Sequence, residues 1–198
     1  MFELRQIVSD FASALKHLDA SAPQGKSKSR AYQPGVGPLT ESEAISRSLP
    51  FLKQISPEYI SARPICYPSS RKTCDLVVPG QWALEFKLVR PFGDNGKEAE
   101  QWSENLLHPY PGNTSSLGDC YKLRDSHFVE RKAIVVFGYE HTPPLVEIEV
   151  VVKCFEVIAT QTLGFRLGER HSALVTGLIH PVHQQCRVYG WEILLGTP

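Results

Sequence analysis

The run Ala133-Ile-Val-Val-Phe-Gly-Tyr139 is apolar without interruption, which limits this chain to few folds. A strand with one wet face alternates apolar and polar residues, so a strand without alternation needs cover on both faces. Helices are the natural cover, and the flanking sequence supplies them. Residues 2–18 place Phe2, Leu4, Ile7, Val8, Phe11, Leu15 and Leu18 at steps of three and four, an amphipathic helix. Thr40-x-x-Glu43 fits a capping box, Ile45, Leu49 and Leu52 follow as a buried stripe, and Pro57 bounds the helix. Lys97–Leu107 and Leu117–Arg124 also read as helical. Leu145–Gln161 is rich in β-branched residues, but a helix packed on the sheet suits its length better. Thr73–Val78 and Trp82–Val89 read as strands joined by a Pro79-Gly80 turn, and Gln185–Leu195 as the last strand. The expected architecture is α/β, a small mixed β-sheet flanked by helices. The 198 residues suit a single domain: an N-terminal helix at 2–18, a loop at 20–38 carrying Lys26, Lys28 and Arg30, and a core at 39–198.

Composition bears on function mainly by exclusion. Lys+Arg and Asp+Glu both total 21, so bulk positive charge cannot drive nucleic-acid binding, although a local basic groove can. No apolar run approaches the roughly 18 residues a membrane span needs. Met1-Phe2-Glu3-Leu4-Arg5 lacks the apolar core of a secretory signal. The five cysteines include no Cys-x-x-Cys and read as reduced, buried thiols, so a cytoplasmic location is expected. No phosphate-binding loop, nucleophile elbow or dinucleotide fingerprint is present.

The chemistry concentrates in Cys74-Asp75-Leu76-Val77-Val78 and Trp82-Ala83-Leu84-Glu85-Phe86-Lys87-Leu88. Alternation on a strand puts Leu84, Phe86 and Leu88 on one face and Glu85 and Lys87 on the other. If the apolar face enters the core, Glu85 and Lys87 stand together, with Asp75 near on the partner strand. Asp75 and Glu85 can then form the hard oxygen site that Mg²⁺ prefers, and Lys87 can polarise a water or neutralise charge on a phosphate. The plainer alternative is a solvent-facing charge pair with no chemistry.

Asp75 and, ten positions further on, Glu85-Phe86-Lys87 within an apolar strand resemble the PD-(D/E)XK nuclease superfamily, which has the restriction-endonuclease-like fold. The resemblance covers roughly residues 40–139 as an order of elements: helix, hairpin with the motif, helix, strand. Cys74 stands where the family name has proline. The resemblance implies Mg²⁺-dependent (or Mn²⁺-dependent) hydrolysis of phosphodiester bonds, usually in DNA, in a defence, repair or mobile-element setting. It assigns Asp75, Glu85 and Lys87 to catalysis and Asp75 and Glu85 to the metal. The family often adds an acidic residue from the preceding helix, where Glu41 and Glu43 are the candidates. Glu41 lies about 40° from Ile45 around the helix, over the buried stripe, whereas Glu43 points away and serves the cap. Glu41 is therefore preferred.

Weaker features remain. Gln101, Glu98 and Glu104 follow the motif, and Lys122 and Arg124 flank Tyr121 where a backbone phosphate could lie. His180-Pro-Val-His183-x-x-Cys186 lacks the paired spacing of a zinc site. The expected partner is nucleic acid, with a homodimer or a partner subunit supplying basic groups. The alternative is a catalytically inactive member of the same fold, serving as a nucleic-acid- or protein-binding assembly subunit. An unrelated interaction domain is the third reading.

Overall fold

The computed structural model describes residues 2–21, 25–27, 30–68, 70–110 and 112–194. Its centre is β6 (Arg131–Glu140), which contains the apolar run and is buried along nearly its whole length. The other strands are β1 (Gly25–Ser27), β2 (Arg30–Gln33), β3 (Arg63–Cys66), β4 (Thr73–Val78), β5 (Trp82–Val89), β7 (Arg166–Leu167), β8 (His171–Thr176) and β9 (Gln185–Leu194). Among the described residues, seven strands form one sheet in the order β3-β4-β5-β6-β9, with β7 and β8 both on the outer edge of β9. Only β5 and β6 run parallel; every other pairing in the sheet is antiparallel. The fold is mixed α/β, as the sequence implies.

Helices α1 (Leu4–Ser21) and α2 (Glu41–Ile55) cover one face. Helices α4 (Ser116–Arg124) and α5 (Ile148–Val157) cover the other, while α3 (Glu104–Leu107) is a single turn. Phe11 of α1 packs 4.9 Å from Phe86 and 5.7 Å from Phe137, between ring centroids, which fixes α1 over the middle of the sheet. Gly190 allows this approach: a Cβ there would lie 2.6 Å from Val8 Cγ2. On the opposite face Leu117, Cys120 and Leu123 of α4 pack with Ala83, Val89, Ile134 and Val136.

Several elements differ from expectation. Residues expected as a loop at 20–38 include the end of α1 and the antiparallel β1–β2 ribbon; the side chains of Lys26, Lys28 and Arg30 lie outside the described residues. The helix expected at 97–107 is confined to Glu104–Leu107. Its first half is instead tied back, with Gly93 N–H donating to Lys97 O and Ala99 N–H to Pro91 O. Gln101 then adopts φ 63°, outside the helical region. β3 is an additional strand, with Pro64 tolerated because this is the edge of the sheet. β7 and β8 are also additional. α5 continues into a π-helical turn at Ile158–Thr162, so residues 145–161 are largely helical, as expected.

Candidate functional site

The site lies where β4 and β5 part. Their ladder runs from Val78↔Trp82 to Leu76↔Leu84 and stops, leaving the backbone of β5 beyond Leu84 without a strand partner on that side. Two carboxylates replace the missing strand. Phe86 N–H donates to Asp75 Oδ2 at 2.8 Å, and Leu88 N–H donates to Glu41 Oε2 at 2.9 Å. Half-buried backbone donors need acceptors, and acidic residues from β4 and from the first turn of α2 provide them. Both side chains are thereby aimed at the end of β5 that carries Glu85 and Lys87.

Alternation along β5 sends Leu84 and Phe86 toward α1 and α2, fully buried, with Leu88 half-buried beside them. Glu85 and Lys87 point the other way, toward α4. They do not face an open cleft: Glu85 is 2% exposed and Lys87 9%. Burial requires partners, and α4 provides them. The Lys87 ammonium lies 2.9 Å from Asp119 Oδ2 and 3.5 Å from Glu41 Oε1, and donates to Phe86 O at 3.0 Å. Lys122, one turn along from Asp119, pairs with Asp119 Oδ1 and reaches to 3.5 Å from Glu85 Oε1. The Tyr67 hydroxyl donates a short hydrogen bond to Glu85 Oε1.

The arrangement unites four carboxyl groups (Glu41, Asp75, Glu85, Asp119) with two ammonium groups (Lys87, Lys122). Burial above all, then the neighbouring Asp75 and Asp119, pushes Glu85 up to about 9. Burial likewise lifts Glu41 to about 7, against the pull of Lys87. Burial also raises Asp119, opposed by Lys87 and Lys122. For Lys87, burial would depress the ammonium, but Asp119 and Glu41 outweigh it and hold the group above its ordinary value. The Tyr67 phenol is pushed far up, by burial and then by Glu85, and remains a donor. Near neutral pH, then, the proton on Glu85 and partial protonation of Glu41 offset part of the excess negative charge. A divalent cation would balance the same excess with both groups ionised. That donor set, oxygen only, fits Mg²⁺ or Mn²⁺ at Asp75 and Glu85, with water and substrate completing the shell. Among the described residues no three His, Cys, Asp or Glu groups stand close enough to hold an ion by themselves.

Asp75, Glu85, Lys87 and Glu41 all converge here, while Glu43 serves the cap, its side chain accepting from Thr40 N–H at 2.9 Å. Glu98 bridges back to Phe92, and Gln101 and Glu104 line a cavity beyond Leu88 rather than this cluster. Arg124 stacks over Tyr121 and Phe165, away from the site. His180 and His183 stack at 4.7 Å, and His180 Nδ1 accepts from the N–H groups of Val182 and His183, so they close a buried turn. Sequence reasoning missed Asp119 and Tyr67, and read Lys122 as a candidate backbone-phosphate contact on a surface helix rather than as a partner of Asp119 and Glu85. The available signal was Asp119-x-x-Lys122, an i,i+3 pair on the helix that must cover Glu85 and Lys87.

No family model, curated protein or solved structure matches this chain at a significant level. No helix among the described residues is long and apolar enough to cross a membrane.

Proposed function

We propose that this chain is a PD-(D/E)XK-type nuclease with a restriction-endonuclease-like core, hydrolysing phosphodiester bonds in DNA with Mg²⁺ or Mn²⁺, in the cytoplasm. The observation that carries the reading is the convergence of Glu41, Asp75, Glu85 and Lys87 where β4 leaves β5. An antiparallel β3–β4–β5 meander followed by parallel β6, with α2 and α4 on opposite faces, supports the fold assignment.

Asp75 and Glu85 would hold the cation, which when bound supplies Lewis-acid stabilisation of negative charge on the scissile phosphate. Lys87, kept protonated by Asp119 and Glu41, offers a fixed positive charge to the phosphate or the attacking water. Asp119 orients that ammonium without facing the substrate. Glu41 fixes the Leu88 backbone and shares the charge of Lys87.

The test is incubation of the protein with plasmid DNA and Mg²⁺, Mn²⁺ or EDTA, alongside Lys87→Ala and Glu85→Gln checked for folding by circular dichroism. Metal-dependent nicking lost in both folded variants is expected. Equal nicking by a folded Lys87→Ala protein overturns the reading. The cover that Tyr67 and Lys122 place on Glu85, with zero net charge over the chain, favours a second reading: a non-catalytic assembly subunit of the same fold. Nucleic-acid binding without cleavage in any metal would favour it.

A further inference from the structure

We propose that the cavity beside Tyr67, between the β3–β4 turn and the end of α4, is a subsite for an internal backbone phosphate of the nucleic-acid strand, adjacent to the phosphate that is cut. The proposal rests on the nuclease reading above. The cavity measures about 240 Å³, and Tyr67, Ser70, Lys72, Lys122, Asp125 and His127 line it. That is below the roughly 300–1,000 Å³ of a site for a drug-sized molecule, and suits a phosphate with its waters better than a nucleoside.

The chemistry of the lining is selective for an anion. Two ammonium groups, an imidazole and the Ser70 hydroxyl line the space, donors of the kind that phosphate oxygens take in nucleic-acid complexes, while the Tyr67 hydroxyl is committed to Glu85. The acid among them, Asp125, is already engaged by Arg124, whose Nε and Nη2 lie 2.7 and 3.2 Å from its two oxygens. In a chain of zero net charge this is a local positive site. The rim is also held in place. Tyr67 N–H donates to Lys72 O at 2.9 Å, Ser70 N–H to Tyr67 O at 3.1 Å, and Lys72 N–H to Ser70 Oγ at 3.1 Å.

The position relative to the catalytic cluster determines which phosphate it takes. Tyr67 and Lys122 line the cavity and also contact Glu85, so one wall is common to both sites. A strand whose scissile phosphate sits at Asp75 and Glu85 would place a neighbouring phosphate over Lys122 and Lys72. Its arrival gives Lys122 an anion to pair with, in place of Glu85.

Lys72 is exposed, so Lys72→Ala leaves the core untouched. Lys153→Ala, an equally exposed change on α5, is the control. Binding of a fluorescein-labelled duplex oligonucleotide is measured by anisotropy in EDTA at several salt concentrations, and plasmid cleavage in Mg²⁺. Lys72→Ala is expected to weaken binding about tenfold, to lower the salt-dependence slope by about 1, and to raise KM with kcat unchanged. Equal behaviour of Lys72→Ala and Lys153→Ala overturns the subsite, even if the wild type cleaves and Lys87→Ala does not. Conversely, Lys72-dependent binding without any cleavage supports the subsite and refutes the nuclease reading. Probes with and without a 5′ phosphate locate the anion: equal losses support an internal phosphodiester, and a loss confined to the 5′-phosphorylated probe overturns it.

Discussion

Asp119, fully buried on α4, holds the Lys87 ammonium of β5 at 2.9 Å. The candidate catalytic lysine is therefore fixed by a helix that follows it in sequence, across the interface between sheet and helix. Removing Lys87 leaves Asp119 with Lys122 as its remaining cation and Glu41 without its ammonium partner, so part of the roughly 3–5 kcal/mol cost of breaking a buried pair is expected. Lys87→Ala should accordingly lose stability as well as activity. Denaturant unfolding will read the loss, and an unchanged midpoint would mean that the pair is not buried in solution.

Asp119→Asn is the complementary change. Without that anion, burial of Lys87 is opposed mainly by Glu41, so the ammonium should deprotonate at lower pH. The alkaline limb of kcat should move to lower pH while KM hardly changes. Glu41→Gln should shift it in the same direction, because Glu41 is the next anion supporting Lys87. A uniform fall in kcat at every pH would point to a structural role instead.

The sheet offers a test that does not involve chemistry. At Gly190 an added Cβ would lie 2.6 Å from Val8 Cγ2, where α1 crosses β9. Overpacking of this kind costs about 1–3 kcal/mol. Gly190→Ala should lower the melting temperature, and combining it with Val8→Ala should recover part of the loss. No recovery in the double variant would place the strain elsewhere.

Local pattern reveals much of this fold, because the information for α1, the α2 cap, the β4–β5 hairpin and β6 is local. Leu84, Phe86, Glu85 and Lys87 sort to two faces by alternation alone. The residues at 97–99 resist such reading because their backbone groups pair back to 91–93 across a turn, which helical spacing of side chains does not reveal. β3, β7 and β8 are short edge strands defined by their neighbours. Within the site, Asp75, Glu85 and Lys87 are legible as a motif. Asp119 and Tyr67 are not, since only the packing of α4 and the β3–β4 turn against β5 brings them there. Glu85 is closed off from solvent for the same reason: Tyr67 and Lys122 cover it.

The buried imidazoles give a signature at acid pH. Burial, and then the adjacent His183, lowers His180 to about 4. An unfolded imidazole takes its proton near pH 6.5. Between about pH 6.5 and 4 the unfolded chain binds the additional proton, so this group removes stability as pH falls. The raised carboxyls of Glu41 and Glu85 act with the opposite sign over the same interval. A difference measurement isolates His180, whose neighbours include His183, Asp94 and Arg90. The gap in melting temperature between the wild type and His180→Asn should narrow from pH 7 to pH 4. A constant gap would mean that His180 titrates normally.

Metal and protons compete for the same carboxyls, which sets the last expectation. Glu85 titrates near 9 in the folded chain and near 4.5 when unfolded, so without metal it costs stability as pH rises through that interval. A divalent cation at Asp75 and Glu85 must displace the Glu85 proton, so its affinity should rise with pH up to about 9. Because the cation binds only the folded chain, millimolar Mg²⁺ or Mn²⁺ should raise the melting temperature, and by more at pH 8 than at pH 6. Asp75→Asn deletes one ligand but also weakens one of the interactions that raise Glu85, after burial the largest of them. The metal-induced shift should therefore shrink, while the metal-free variant should tolerate alkaline pH better than the wild type. Calorimetry of both proteins at the two pH values, with and without metal, tests the scheme. An equal metal-induced shift in wild type and Asp75→Asn would put the ion elsewhere, and a shift independent of pH would mean that Glu85 is not the group it displaces a proton from.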